Sequence, residues 1–317
     1  MIFAPLVSII IPVYNGSNYM REAIDSALAQ TYENIEILVV NDGSSDRGRT
    51  EAIAKEYGDK IRYIYKENGG VSSALNVGIR HMRGEYFSWL SHDDVYTPDK
   101  IEKQVEALSR LPDKSTLICC DYAHIDKDSM PISGISHTHA REAGMLSWEK
   151  MLLDLFRHGP VNGCALLIRK TVFDEVGLFD ESLRFYQDGF MWYKIFVAGY
   201  AVFSIPDVCV LGRIHGKQLT QTGQSIFVKD CEKISTVMIP HLTRISTAEH
   251  NFLLAYGKYH AKYGHTTIVK RVYARAKGTG LIRVKDRVAI ALLRLYAGIR
   301  PTLRRIYYAV LHRQTTV

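Results

Sequence analysis

Acidic residues are almost missing from the end of this 317-residue sequence. From Lys258 to Val317 there is one, Asp286, against 14 lysines and arginines. The rest of the chain carries 26 basic and 32 acidic residues, so the net +7 joins a mildly acidic body to a strongly basic tail. Other absences exclude whole classes. The five cysteines (Cys119, Cys120, Cys164, Cys209, Cys231) are odd in number and lack C-x-x-C spacing, which argues against a disulfide framework or a zinc knuckle. Their apolar surroundings predict buried thiols. No run of about 20 uncharged apolar residues exists, so no spanning helix is expected. Met1–Pro5 leads straight into a strand-like run, so no signal peptide is expected either. A reducing, cytosolic location follows from these readings. No G-x-G-x-x-G follows the first strand, and neither H-E-x-x-H nor G-x-S-x-G occurs. The stretch Gly212–Lys217 is one residue short of a Walker loop. There is no internal repeat, and 47% hydrophobic with 23% charged residues is an ordinary globular balance.

What is present is alternation. Val7–Pro12, Ile35–Val40, Ile61–Tyr65, Tyr86–Leu90 and Leu117–Ile125 read as strands. Helical patterns at about Tyr19–Gln30, Arg49–Tyr57, Val71–His81 and Lys100–Leu111 lie between them. Near-continuous apolar strands alternating with amphipathic helices predict βαβ units and a mostly parallel sheet. Such sheets bind ligands at the carboxyl ends of their strands. Tyr14-Asn15, Asn41-Asp42, Glu67-Asn68 and His92-Asp93-Asp94 all follow strands, so they are expected on one rim. Adjacent carboxylates at a strand end suit a hard divalent cation bound with substrate phosphates. The alternative is helix capping, by Asp94 or Thr97, ahead of Pro98. After residue 125 the pattern is irregular. It gives a loop at Ser129–Gly144, helices at Trp148–Phe156 and Gln187–Val197, and strand-like runs at Val161–Arg169, Ala201–Ser204 and Val208–Ile214. From Phe227 onward it reads as helix after helix.

Four blocks in order, VSIIIPVYN ending at Asn15, VVNDGSSD ending at Asp46, NGGVSSALNVG ending at Gly78 and LSHDD ending at Asp94, resemble family 2 of the nucleotide-sugar glycosyltransferases, of the bacterial cell-surface glycan type. The resemblance spans about residues 5–220 and implies an α/β fold of the GT-A kind, Rossmann-like, with the basic helical region as an extension. It divides the chain into residues 1–225, with a nucleotide-binding half at 1–125 and an acceptor half at 126–225, and a helical region at 226–317. It implies that Pro12, Tyr14 and Asn15 lie beside the nucleotide base. Asp42 would accept the imide N–H of uracil or thymine, and Asn68, Gly69 and Gly70 would run beneath the nucleotide. Asn76 matches a helix position near the donor, or else a structural hydrogen bond. Asp93 matches the last carboxylate of the family's D-x-D, the ligand of Mn²⁺ or Mg²⁺. Ser91 stands where an acid is commoner; its hydroxyl is expected on a ribose oxygen of the donor, with His92 also on the donor side, and the choice of ligand among His92, Asp93 and Asp94 stays open.

In the second half, Gly159–Ile168 resembles a strand lining the acceptor site and brings in Asn162 and Gly163. Gln187-Asp188 and Trp192 match the start of the acceptor-site helix. Asp188 is then the general base of an inverting transfer, or alternatively a first-turn acid on that helix. Gln187 replaces a frequent acid and is assigned to the acceptor. Arg213 and His215 match an R-x-H element near the diphosphate, with the guanidinium on phosphate and the imidazole on metal. Without a Q-x-x-R-W element or spans, single transfer is expected rather than processive synthesis.

The partners implied are a nucleotide-sugar donor and a glycan, lipid-linked or protein-linked saccharide. The tail suits an interfacial helix on an anionic inner membrane face, with packing on the body or a homodimer contact as alternatives, and no nucleic-acid module is visible. Two rival functions stand beside the transferase. One is a sugar nucleotidyltransferase, whose Gly-rich triphosphate loop is missing, and the other a non-catalytic glycan- or membrane-binding protein on the same fold.

Overall fold

The β-branched run at the start of the chain forms β1 (Val7–Val13), buried along its whole length. It lies between two parallel neighbours, β2 (Ile35–Asp42) and β4 (Tyr86–Trp89), while β3 (Arg62–Lys66) pairs in parallel with β2. A strand buried on both faces needs no alternation of polar and apolar residues, which is why these segments read as continuous apolar runs. The computed structural model describes residues 3–132, 142–216, 223–277, 279–293 and 295. Helices α1 (Met20–Leu28), α2 (Arg49–Glu56) and α3 (Val71–His81) are the crossovers between the first four strands.

Beyond β4 come β5 (Val95–Tyr96), α4 (Lys100–Ser109), β6 (Leu117–Ile125), β7 (Gly144–Leu146) and α5 (Trp148–His158). They are followed by β8 (Leu166–Arg169), α6 (Lys170–Val176), α7 (Gln187–Val197) and β9 (Val202–Arg213). The strand order is β3-β2-β1-β4-β8-β6-β9-β5, with β7 paired to β9. β8 runs antiparallel to β4 and β6, and β6 and β9 are parallel. The fold is therefore the expected α/β type with a mostly parallel sheet.

Three details differ from the sequence reading. The two strand-like runs near residues 201 and 214 are one strand, β9, whose pairing with β6 shifts register beside Asp121. The run expected to be a strand from Val161 begins with a short turn of 3₁₀ helix at Gly163–Ala165 before β8. β5 and β7 are too short to show a period. All five cysteines are buried and none is in a disulfide. Most of the loop expected at Ser129–Gly144 lies outside the described residues.

The chain separates into two compact units, residues 1–151 with 160–224 and residues 152–159 with 225–317. The second unit contains α8 (Gln224–Ile245), α9 (Phe252–Lys262) and α10 (Thr266–Ala276). Ala261, Val269 and Ile290 form a buried cluster there, with Leu254, Tyr273 and Leu293 against it. No helix among the described residues is long and apolar enough to cross a membrane. The tail reading for Val288–Leu311 falls, from residue 296 on, outside the described residues.

Candidate active site

The carboxyl ends of β1, β2 and β4 carry the polar clusters, and hydrogen bonds join the first two. Asn15, in the left-handed region at φ 52°, donates its backbone N–H to Ser44 Oγ (2.9 Å) and accepts from the Ser45 N–H (2.8 Å). Tyr14, nearly half exposed, has its hydroxyl 3.4 Å from Ser45 Oγ. Pro12 lies inside β1 opposite Val40 and shapes the strand from within the core.

Asp42, at the end of β2, organises the next loop. Its Oδ1 accepts from Lys66 Nζ (2.6 Å) and the Gly69 N–H (2.9 Å), and its Oδ2 accepts from the Gly70 N–H (2.7 Å). Asn68 Nδ2 donates to the Asp42 carbonyl (2.8 Å). Gly70 adopts φ 87°, ψ 170°, a conformation open to glycine, at the start of α3. The loop predicted beneath a nucleotide is thus fixed by the carboxylate predicted to read its base. Asn76 holds a structural bond: it accepts the Phe179 N–H and donates to the Phe179 carbonyl and to Glu181, tying α3 to the segment before α7.

The Ser91–Asp94 turn divides its side chains. Ser91 faces Cys164, with its backbone N–H 3.3 Å from Sγ. The His92 ring packs under Gly16, where a Cβ would stand 2.8 Å from it. Burial pushes the His92 pKa down against the pull of Asp93. Asp93 Oδ2 lies 3.0 Å from His215 Nε2, just past the end of β9. Burial alone would raise the Asp93 pKa, but His92 and His215 outweigh it and hold the carboxylate below its ordinary range. Asp94 turns inward, taking the Arg213 N–H on Oδ1 (2.9 Å) and the Cys164 thiol on Oδ2 (3.4 Å). Burial and the neighbouring Asp93 drive it toward the neutral acid, so Asp93 carries the charge of the pair.

The Arg213 side chain is sealed rather than aimed at a ligand. Its guanidinium donates to the carbonyls of Asp93 (2.8 Å) and Asp126 (3.1 Å), to Ser129 Oγ (2.8 Å) and to Glu22 (2.8 Å), above the Tyr19 ring. Its side-chain exposure is 0%. It straps the end of β9 to the turn after β4 and to α1.

Asp188 sits in the first turn of α7, half-buried, accepting the Gly189 N–H at 2.7 Å. Burial raises its pKa to about 6, with that N–H opposing. Gln187, the preceding residue, is buried, and its Oε1 has no hydrogen-bond partner among the described residues. Trp192 is fully buried and donates Nε1 to the Val161 carbonyl (3.0 Å). It therefore supports the Asn162–Gly163 segment from inside instead of offering a face to an acceptor. Asn162 caps the 3₁₀ turn through the Cys164 N–H, and a Cβ on Gly163 would stand 2.3 Å from the Trp89 ring.

Sequence reasoning missed Lys100. It is fully buried in α4, donates to Ser88 Oγ (2.8 Å) and Gln104 Oε1 (2.9 Å), and burial lowers its pKa to about 8. The signal was available: Lys100 and Gln104 are polar at helical spacing on a face otherwise made of Ile101, Val105 and Leu108. Lys66 and Glu22, the partners of Asp42 and Arg213, had no such signal.

The comparisons with known proteins decide the family. Residues 8–177, more than half the chain, match the profile described as glycosyl transferase family 2. The chain belongs to that family. An uncharacterized glycosyltransferase of Rickettsia prowazekii is 47% identical over 271 residues, covering 83% of this chain and 82% of that one. An uncharacterized glycosyltransferase of Rickettsia typhi is 43% identical over 315 residues, 96% of each. Among solved structures, TarS 1–349 of S. aureus superposes with a TM-score of 0.65 at 16% identity, covering 94% of this chain and 91% of that one. At that identity the likeness is one of fold, and it makes this family 2 enzyme a GT-A protein. Crystal structures of the same S. aureus protein with UDP and with UDP-GlcNAc superpose at 0.58.

Proposed function

We propose that this glycosyltransferase moves a sugar from a UDP- or dTDP-sugar to a hydroxyl of a glycan or of a lipid- or protein-linked saccharide, one sugar per encounter and with inversion. The observation that carries the reading is Asp188. Its carboxylate is half-buried and has a pKa raised to about 6, and the residue before it, Gln187, is buried with an Oε1 that finds no hydrogen-bond partner among the described residues. A base with that value is ionised at neutral pH yet basic enough to draw the proton from an attacking hydroxyl. Gln187 Oε1 is an acceptor suited to a second acceptor-sugar hydroxyl.

The S. aureus structures with UDP and UDP-GlcNAc support a nucleoside diphosphate donor. Asp42 keeps acceptor capacity beyond the three bonds it makes, enough for an imide N–H. Asp93 and His215 offer one carboxylate oxygen and one imidazole nitrogen, a donor pair that fits Mn²⁺ better than an all-oxygen cation. Asp94, with both oxygens already accepting, holds the strap behind them. When bound there, a divalent cation neutralises the leaving diphosphate. Arg213 keeps Asp93 and His215 in register rather than touching phosphate.

The basic segment after Gly257 is the docking element of this reading for an anionic membrane face, which puts the enzyme peripherally on the inner side of the cell membrane. Removing Tyr296–Val317, which spares the buried Ile290 and the partly buried Leu293, should lower association with anionic vesicles and leave UDP release intact. The central test measures UDP release from candidate donors, with and without Mn²⁺, for the wild type and Asp188→Asn. Equal turnover by the two proteins would sink the base assignment.

A further inference from the structure

Three buried ligand-type side chains meet in the second unit, unconnected with sugar transfer. Cys231 comes from α8, His260 from the last turn of α9, and His265 from the residue before α10. Their exposures are 0%, 1% and 6%. The two histidines meet because α9 ends in a tight turn. Gly264, at φ 76°, donates its N–H to the Ala261 carbonyl (3.1 Å), and the His265 N–H returns to the His260 carbonyl (2.9 Å). That pair of bonds is a Schellman ending, and it sets residues five apart face to face. The two Nδ1 atoms are 2.8 Å apart. One nitrogen of each ring and the Cys231 sulfur all lie within 4.8 Å of one another.

Protein bonding alone does not satisfy this cluster. A proton shared between the two Nδ1 atoms accounts for their contact but leaves His265 Nε2 buried with no hydrogen-bond partner among the described residues. Burial also holds both rings toward their neutral, ligating form. We propose that Cys231, His260 and His265 form a binding site for a thiophilic divalent cation, Zn²⁺ first, which clasps α8 to the turn between α9 and α10. Thiolate with two imidazoles is the donor set of zinc rather than of magnesium or calcium. Tetrahedral zinc at ordinary bond lengths needs ligand separations of roughly 3.3–3.6 Å. The three ligand atoms lie within 4.8 Å of one another, at most about 1.5 Å beyond that spacing. Burial and the Asp230 charge push the Cys231 thiol up, so it gives up its proton only as the cation binds, and Glu232 beside it in α8 adds negative charge near His265. C-x-x-C spacing does not describe this group, because its ligands come from three elements.

The test uses full-length protein, stripped with a chelator and reloaded with Zn²⁺, with bound metal counted by mass spectrometry. We expect about one zinc per chain. Co²⁺ in its place should give the visible bands of a tetrahedral site and a thiolate-to-cobalt charge-transfer band in the near ultraviolet. Cys231→Ala, a small buried substitution whose folding is checked by circular dichroism, should lose that band and lower zinc retention about tenfold or more. Asp93→Asn should leave the thiolate-to-cobalt band unchanged, which separates this site from the rim of the sheet. Reloaded wild type holding under about a tenth of a zinc per chain would overturn the proposal. So would a cobalt spectrum without the thiolate band, or one that survives Cys231→Ala in a folded protein.

Discussion

His215 Nε2 and Asp93 Oδ2 lie 3.0 Å apart although 122 residues separate them in the chain. The contact exists because β9 and the turn after β4 end on the same rim, and because Arg213 binds the Asp93 carbonyl from two residues before His215. Asp93→Asn should lower transfer by about a hundredfold or more, the scale seen when a charge-stabilising group is lost from a transition state. His215→Ala should weaken the Mn²⁺ requirement of UDP binding, read as the loss of the Mn²⁺-dependent part of a UDP thermal shift. An unchanged shift in both variants would remove this pair from the metal reading.

Asp188 predicts opposite effects on rate and stability. The carboxyl has an ordinary value of 3.8 and a native value of about 6. Rate should therefore rise with pH through about 6 as the base ionises, and the acid limb should vanish in Asp188→Asn. The stability sign is the reverse. Between those two values the native state keeps a proton that the unfolded chain has released, so unfolding free energy falls as pH rises through that window. Asp188→Asn should remove that penalty and stabilise the protein at neutral pH by at most about 3 kcal/mol, two pKa units at 1.36 kcal/mol each. Denaturant melts at pH 5 and pH 7.5 check this, and a destabilised Asn variant at pH 7.5 contradicts it.

Most of the fold was legible because both-face burial leaves a simple trace. β1 and β2 are rich in Val, Ile and Leu, β4 is the buried run Tyr-Phe-Ser-Trp, and α1, α3 and α4 carry apolar residues at helical spacing. The rim clusters were legible for the same reason, since a strand's end fixes where its next residues lie. What one sequence does not carry is the direction of a side chain. Arg213, Asp94 and Trp192 occupy expected positions, yet all three point into the protein. Their partners, Glu22, Cys164 and Val161, come from elements whose approach is decided by tertiary packing.

Arg213 gives a test of strap against phosphate clamp. Its guanidinium divides between two backbone carbonyls, of Asp93 and Asp126, and two side-chain oxygens, of Ser129 and Glu22. Arg213→Lys keeps a charge but loses the fork, so it should destabilise the protein by about 3 kcal/mol or more, as broken buried pairs do. Glu22→Gln touches a carboxylate that is 46% exposed and should cost about 1 kcal/mol or less. Chemical denaturation separates these outcomes. A lysine variant of unchanged stability and weakened UDP affinity would favour the phosphate role instead.

Asp42 and Gly70 make the sharpest prediction about the donor. The carboxylate holds two backbone N–H groups and Lys66 with two oxygens. Asparagine brings one acceptor oxygen, so Asp42→Asn must leave Lys66 or one of the two N–H groups without its bond, at about 1–3 kcal/mol. Gly70→Ala leaves the carboxylate intact but forces a side chain into φ 87° with its Cβ 2.3 Å from Arg184 Nη1. Both changes deform the same loop, yet only the first removes the acceptor proposed to read the base. UDP and dTDP should therefore lose affinity together in Asp42→Asn, measured by calorimetry, while discrimination of either against GDP collapses. In Gly70→Ala affinity should fall for all three nucleotides and the ratio should survive. Discrimination that persists in Asp42→Asn would place base recognition elsewhere on the rim.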